Sequence, residues 1–154
     1  MSADVVEAAA AVGFRVCVFR LGDEVFAFDI GRVREVVVLD ELTPVPAAPP
    51  QVIGVANLRG DVLPVVGLER VLGLAPRRAA RRLRTLVIAA GGAQVGLVID
   101  DVLGLETYDE VADVEAATSE RSSGCALGVM RRGEAVVTLL DAERIVAALR
   151  RREG

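Results

Sequence analysis

The sequence predicts a mostly β chain folded as two small five-stranded, barrel-like units, with a short helix and a C-terminal helix. Three observations predict it. Short Val-rich runs recur, each closed by Gly, Asp or Asn, which is the grammar of strands and turns. The second half repeats the first: at an offset of 74 residues Gly54-Val55 matches Gly128-Val129, Val65-Val66 matches Leu139-Leu140, and Glu69-Arg70 matches Glu143-Arg144. The preceding hairpins, around Gly22 and Gly92, align at an offset of 70. Short strands at even spacing, each ended by a turn, favour small barrels over an open sheet.

The elements follow in order. Residues 1–13 are Ala-rich and read as a flexible leader. One domain is expected over 14–150, with a first unit at about 14–74, a second at about 85–140, and strands free to exchange between them. Phe14, Val16 and Val18 alternate, Leu21-Gly22-Asp23-Glu24 turns, and Val25–Phe28 returns, a hairpin signature. Val-rich Arg32–Leu39 favours a strand, and its Gly31 start allows one helical turn. Leu42–Pro50 is a Pro-rich connector. Its Pro46-Ala47-Ala48-Pro49 fits a minimal polyproline ligand, and a stiff connector is the favoured reading. Val52–Leu58 and Val62–Val66 flank the Arg59-Gly60-Asp61 turn, and Leu68–Leu74 suits a short helix. Ala75–Arg84, with Arg at 77, 78, 81, 82 and 84, reads as a solvated linker. Strands are expected at Thr85–Ala89, Val95–Ile99 and Val102–Thr107, with a turn at Gly91-Gly92. Asp109–Ser123 is an acidic excursion. Ala126–Met130 and Ala135–Leu140 form a hairpin, and Asp141 can cap a helix through Arg152, with Glu143 in its first turn and Arg150–Arg152 in its last.

Composition narrows function. The chain of 154 residues is 53% apolar and 26% charged, too apolar for disorder. Its net charge is −4 and all 18 basic residues are Arg, a poor balance for neutralising nucleic-acid phosphates. The Arg run also lacks interleaved aromatics for base stacking. There is no His, which removes the commonest general base and metal ligand. Cys17 and Cys125 make neither a disulfide framework nor a zinc site; Cys17, inside an apolar alternation, reads as a buried thiol in a reducing compartment. No signal peptide or membrane span is read, since Met1–Val12 lacks a basic region and Leu42–Leu58 is broken by prolines. The expectation is a cytoplasmic protein without membrane insertion.

Enzyme signatures are weak. Asp100-Asp101 could bind a cation, but adjacent strand carboxylates face opposite ways, so solvated strand-end charges are the simpler reading. Gly91-Gly92 lacks the flanking Gly and Lys of a phosphate loop, and Ser119, Ser122 and Ser123 have no base partner. No catalytic residue, metal or cofactor is assigned. The most informative segment is Gly54-Val55-Ala56-Asn57-Leu58-Arg59-Gly60, which places an Arg in a hairpin turn. Glu35 lies in an apolar stretch and shares a strand face with Val33 by two-residue periodicity. A Glu35–Arg59 bidentate pair fits the need of such a charge for a partner; spacing alone equally allows two separate surface charges.

These residues together resemble the CheW family of chemotaxis coupling proteins, from about Phe14 to Leu149. The matching pieces are Phe19-Arg20-Leu21-Gly22-Asp23-Glu24, Asp29-Ile30 with Val33 and Glu35-Val36, the Pro-rich connector, and Gly54-Val55 with Asn57-Leu58-Arg59-Gly60. Val62, Pro64-Val65-Val66, Leu68, Val95–Asp100 with Val102, and Gly128-Val129 continue the pattern. The resemblance implies two intertwined SH3-like barrels and no catalysis. It implies a scaffold that joins chemoreceptor cytoplasmic tips to the regulatory domain of the histidine kinase CheA. Receptor contacts would fall on Val33, Glu35, Gly54, Arg59, Leu86, Val102 and Leu105, in a groove between the barrels that the Glu35–Arg59 pair keeps in shape. Kinase contacts would fall on Leu42 and Val62. Gly67, where the family usually has Asp, the Arg-rich linker and the acidic 109–123 segment depart from the family pattern. Gly67 weakens only the local turn match; the linker and the acidic segment keep open a coupling protein specialised for one receptor system, or a receptor-only module that has lost the kinase and competes with coupling.

Overall fold

A computed structural model describes residues 14–75, 82–108, 112–113, 124–132 and 134–151. The expected leader, most of the Arg-rich linker and most of the acidic excursion lie outside them. The chain is mostly β. Its strands are β1 (Phe14–Leu21), β2 (Glu24–Asp29), β3 (Val33–Leu39), β4 (Val52–Leu58), β5 (Asp61–Gly67), β6 (Leu83–Ala90), β7 (Ala93–Val98), β8 (Asp101–Tyr108), β9 (Ala112–Asp113), β10 (Ala126–Arg132) and β11 (Ala135–Leu140). Helix α1 (Leu68–Leu72) follows β5, helix α2 (Ala142–Arg151) follows β11, and one 3₁₀ turn (Ile30–Arg32) precedes β3.

Two features differ at the edges of the expectation. Helix α1 stops two residues early because Gly73 takes a left-handed conformation (φ 75°), and the Leu74 N–H donates to the Glu69 carbonyl at 2.7 Å. Strand β6 starts at Leu83, inside the expected linker, since Leu83 pairs with Leu39.

The strands form two sheets, ordered β8-β1-β2-β11-β10-β9 and β3-β6-β7-β5-β4. The sheets do not follow the halves of the chain. Hairpin β1–β2 lies among strands of the second half, and hairpin β6–β7 among strands of the first. The two joins are parallel, β2 with β11 and β5 with β7. Each half is thus the same unit, hairpin, strand, hairpin, helix, and each leading hairpin is lent to the other half.

Register makes the duplication quantitative. Leu21 faces Glu24 across one turn and Ala90 faces Ala93 across the other. The hairpins therefore correspond at 69 residues, with Gly22 matching Gly91 rather than Gly92; the tight turn sets that count. The same shift carries Val33, opposite Ile88, onto Val102, opposite Phe19, and Glu35, opposite Val87, onto Gly104, opposite Val18. Both strands bulge at that step. Strands β4 and β10 also bulge alike, before Gly54 and before Gly128. The open edge of β4 is covered by a bridge from Thr43 to Val55, and that of β10 by Ala112 opposite Val129. Thr43 of the Pro-rich connector and Ala112 thus take equivalent places in the two units, since Val55 and Val129 correspond by the 74-residue shift.

The bulge in β3 corrects one expectation. Val33 packs on the central core with Ile88, whereas Val37 and Leu39 pack on a different core with Val87. One extra residue flips every following side chain, so Glu35 lies on the face of Val37 and not on that of Val33.

Three apolar clusters hold the fold. The largest sits between the sheets and draws Phe19, Phe26 and Phe28 from one side, Leu86, Ile88 and Leu97 from the other, and Leu68, Leu72 and Ile145 from the helices. Each unit has a smaller core of its own, around Val16, Met130 and Leu139 in one and Leu63, Val65 and Val87 in the other. Asp141 caps α2, its Oδ1 accepting the Glu143 N–H at 2.9 Å. Arg32 pairs with Glu143 at 3.0 Å and ties α2 to the 3₁₀ turn.

Candidate binding surfaces

The Asn-Leu-Arg-Gly segment is turn chemistry first. Arg59 and Gly60 join β4 to β5 with φ values of 52° and 91°, a two-residue turn whose twist suits a hairpin. Asn57 Oδ1 accepts the Gly60 N–H at 2.9 Å and fixes that turn. The backbone then aims Arg59 across the sheet end at Glu35. Its Nη1 donates to Glu35 Oε1 at 3.1 Å and its Nη2 to Oε2, a two-pronged pair. The Glu35 side chain is 29% exposed and that of Arg59 is 68% exposed.

Hydrogen bonds from Arg59 hold the Glu35 carboxyl below the usual carboxylate range, against a smaller opposing effect of partial burial. A depressed folded value means that the pair contributes fully above the ordinary carboxylate pKa, ~4.3. Its contribution fades as the pH falls through the lower, folded value. NMR titration of the Glu35 carboxyl should find its midpoint below that of an exposed Glu in the same chain, and Arg59→Ala should raise it. An unshifted midpoint would refute the pairing.

Val62 stands beside this pair, 71% exposed. Arg34, Glu35, Arg59, Asp61, Val62 and Gln94 line one shallow depression. The structure therefore brings Glu35 of β3 together with Arg59 and Val62 of the β4–β5 hairpin end.

A second surface lies along the outer strands β3 and β8. Val36 pairs with Leu86, and Leu105 pairs with Cys17; both partners are buried in the central cluster. Cross-strand partners share a face, so Val36 and Leu105 flank that cluster from opposite sheets. They are 43% and 56% exposed, and Val38 continues the stripe. Val36 and Leu105 are equivalent positions of the duplicated unit. The family resemblance does not mark Val36 as a contact; the 69-residue shift from Leu105 finds it. Val33 and Val102 are half-buried against the same cluster. Leu86 is fully buried beneath them and presents no surface.

Gly54 stands apart from both surfaces. A Cβ there would lie 2.9 Å from Leu42 Cβ and 3.0 Å from the Thr43 carbonyl oxygen. The missing side chain lets the connector lie on β4 and form the Thr43–Val55 bridge. Leu42 is half-buried and packs against the small core of this unit. Gly54→Val should destabilise the protein by about 1–3 kcal/mol through overpacking, read as a shifted urea midpoint. An unchanged midpoint would mean that the connector is not held on the strand.

The remaining motifs have local partners. Ala47 has φ 64° and the Ala48 N–H donates to the Val45 carbonyl at 3.3 Å, so the prolines bracket a tight turn rather than an extended polyproline helix. Asp100 accepts the Gly22 N–H, and Asp101 pairs with Arg84 at 3.0 Å. Arg82 pairs with Asp40 at 3.1 Å, and both side chains are exposed; Arg77, Arg78 and Arg81 lie outside the described residues. Cys17 and Cys125 are buried, and burial pushes the Cys17 thiol up. At Gly67 a Cβ would lie 2.9 Å from Glu69 Oε1, so glycine leaves room for that buried side chain. Among the described residues, no group of three His, Cys, Asp or Glu could hold a metal, and no helix is long and apolar enough to cross a membrane.

Comparison with known proteins agrees with the architecture. The family model for the CheW-like domain matches residues 15–150. The chain is 28% identical over 142 residues to the chemotaxis protein CheW of Thermotoga maritima, covering 92% of this chain and 93% of that one. It is 33% identical over 138 residues to protein FrzA of Myxococcus xanthus, covering 87% and 86%. The crystal structure of the scaffolding protein TtCheW from Thermoanaerobacter tengcongensis superposes with a TM-score of 0.78 at 24% identity, over 86% of this chain and 92% of that one, which speaks for the fold. A duplicated β unit with exchanged hairpins, the Asn-Leu-Arg-Gly turn and a family match over nearly the whole length agree: this chain belongs to the CheW-like family of chemotaxis adaptor domains.

Proposed function

We propose that the protein is a non-enzymatic cytoplasmic adaptor that couples chemoreceptors to the histidine kinase CheA by adhesion alone. The observation that carries this reading is the pair of apolar outer strands, Val36 and Val38 on one sheet and Leu105 on the other, flanking one shared core. Two apolar edge strands flanking one core suit the helical tip of a receptor, docked by helix-in-groove contacts. Val33 and Val102 support these strands from below. Leu86 acts through packing and Gly54 through the connector; neither is a contact. Glu35 and Arg59, which the family resemblance assigns to the receptor, line one depression with Val62, so we reassign them with Val62 to a surface for the kinase regulatory domain, with an exposed apolar residue as anchor. Leu42 holds the connector beside it. No cofactor, metal or nucleic acid has a part.

Separate capture assays with a purified receptor tip and a purified kinase regulatory domain test the assignment. Leu105→Asp should abolish capture of the receptor tip and spare the kinase domain. Val62→Asp should do the reverse. Capture of the receptor tip alone by the unmodified protein would favour the receptor-only competitor, and capture of neither would refute coupling.

A further inference from the structure

We propose that the protein pairs with a second copy of itself along the open edge of β3, joining two five-stranded sheets into one continuous sheet.

The sheet edges are not alike. Edge strand β9 has two residues, and the edge of β4 is taken by the Thr43–Val55 bridge. Edge strand β8 carries Asp101 and Glu106 and is interrupted by a bulge and by Gly104 (φ 140°). Short length, cover, charge and bulges are the devices that keep strand edges from pairing. Strand β3 has its bulge before Glu35, and from Val36 to Leu39 it reads Val-Val-Val-Leu, with no charge, Pro or Gly. No other strand among the described residues lies on its outer side.

Hydrogen-bond direction shows what that edge offers. The Ile99 N–H donates to the Arg84 carbonyl at 2.9 Å, so Arg84 turns its backbone groups toward β7 and Thr85 turns its own toward β3. In an antiparallel ladder these directions alternate residue by residue. Val37, opposite Thr85, is therefore bonded inward, and Val36 and Val38 point N–H and C=O away from the sheet.

Charge selects the partner and the register. A two-fold axis through Val37 sets Val36 against Val38 of the second copy, and their outward groups meet as a hydrogen-bonded pair. The same axis sets Arg34 against Asp40 of the second copy, and symmetry repeats the opposite-charge pair. Sliding the pairing to the next allowed register, in either direction, puts a Val opposite Arg34 or opposite Asp40 instead. Both charged residues are exposed. Arg34 uses Nη1 on the Gly31 carbonyl, and Asp40 meets Arg82 through Oδ1, so each keeps a further nitrogen or oxygen for the second copy.

Sedimentation equilibrium of the full chain tests the proposal. The mean mass should rise with concentration from that of one chain toward that of two, with a Kd between about 1 μM and 1 mM, the weak end expected of a small interface. Asp40→Arg sets like charges together at both ends and should raise Kd by about tenfold. Adding Arg34→Asp restores opposite charges and should bring Kd back to within about threefold of the parent. The double variant does not restore the contact with Arg82, so its recovery reports pairing between copies. Both variants should stay folded by circular dichroism, because an exposed ion pair contributes little. Val37→Cys gives an independent readout: under mild oxidation it should link two chains, since residues facing across the axis lie within disulfide reach. Cys17 and Cys125 are buried, and the parent supplies the background. A mass that stays at one chain up to about 1 mM would overturn the proposal. So would a dimer whose Kd the charge swap does not restore, or one that Val37→Cys does not link.

Discussion

Leu86→Ala is expected to destabilise the protein by about 2–5 kcal/mol, the range for truncating a buried Leu in a packed core. Leu86 is 0% exposed and lies in the central cluster with Phe28, Ile88 and Leu97. Its neighbours on β6 are fixed by β3 on one side and β7 on the other, so the site cannot collapse to fill the cavity. For a domain of this size each kcal/mol lowers Tm by roughly 2–4 °C. Leu105→Ala supplies the contrast. That side chain is 56% exposed, and its loss should change stability by no more than about 0.5 kcal/mol. Urea melts of the two variants separate packing from contact. On the proposed receptor docking, Leu86→Ala should weaken receptor capture only in proportion to its unfolded fraction, whereas Leu105→Ala should weaken it while fully folded. A fully folded Leu86→Ala variant with unchanged midpoint would show that the core between the sheets is looser than its burial implies.

That contrast also marks how far the sequence could be read. Strand content, both helices and the duplication were legible, because Val-rich alternation, turn glycines and the Asp141 cap are local signals that the tertiary structure reinforces. The Glu35–Arg59 pair was legible as an option, since a charge in an apolar run needs a partner and Arg59 sits in a turn. The facing of β3 was not. Its bulge after Val33 inserts one residue that periodicity counts as an ordinary step, and the count then assigns Glu35 to the wrong face. Depth was not legible either. Leu86 and Leu105 look alike in sequence, yet β6 lies inside its sheet and β8 at an edge. The reciprocal loan of the two hairpins depends on contacts between residues about seventy positions apart, and no local pattern reports it. The hairpin offset of 70 around Gly22 and Gly92 fails for a related reason. Both Gly91 and Gly92 suit a turn, and only pairing selects between them.

Phe19→Ala is expected to cost about 3–5 kcal/mol and to melt both units together. Phe19 is fully buried, stacked on Phe28 at 5.6 Å between ring centroids and tilted against Phe26 at 6.0 Å. Its truncation removes two aromatic contacts along with the buried area. The equivalent position in the other unit is Ile88, so the aromatic cluster is peculiar to one side of the shared core. Two barrels with separate cores would allow one to unfold while the other stands. Here neither unit has its strands in one stretch of chain. Removing β1 takes the neighbour of β8 and β2 at once, and the core it feeds also anchors Leu86, Ile88 and both helices. Tyr108, the single Tyr, is buried in the core of the unit that holds β1, and its fluorescence reports that unit alone, while far-ultraviolet circular dichroism reports both. The two signals should give coincident transitions in the parent and in Phe19→Ala, both shifted by the same amount. If Tyr108 melts first in the variant, the units are independent barrels and the exchanged hairpins do not couple them.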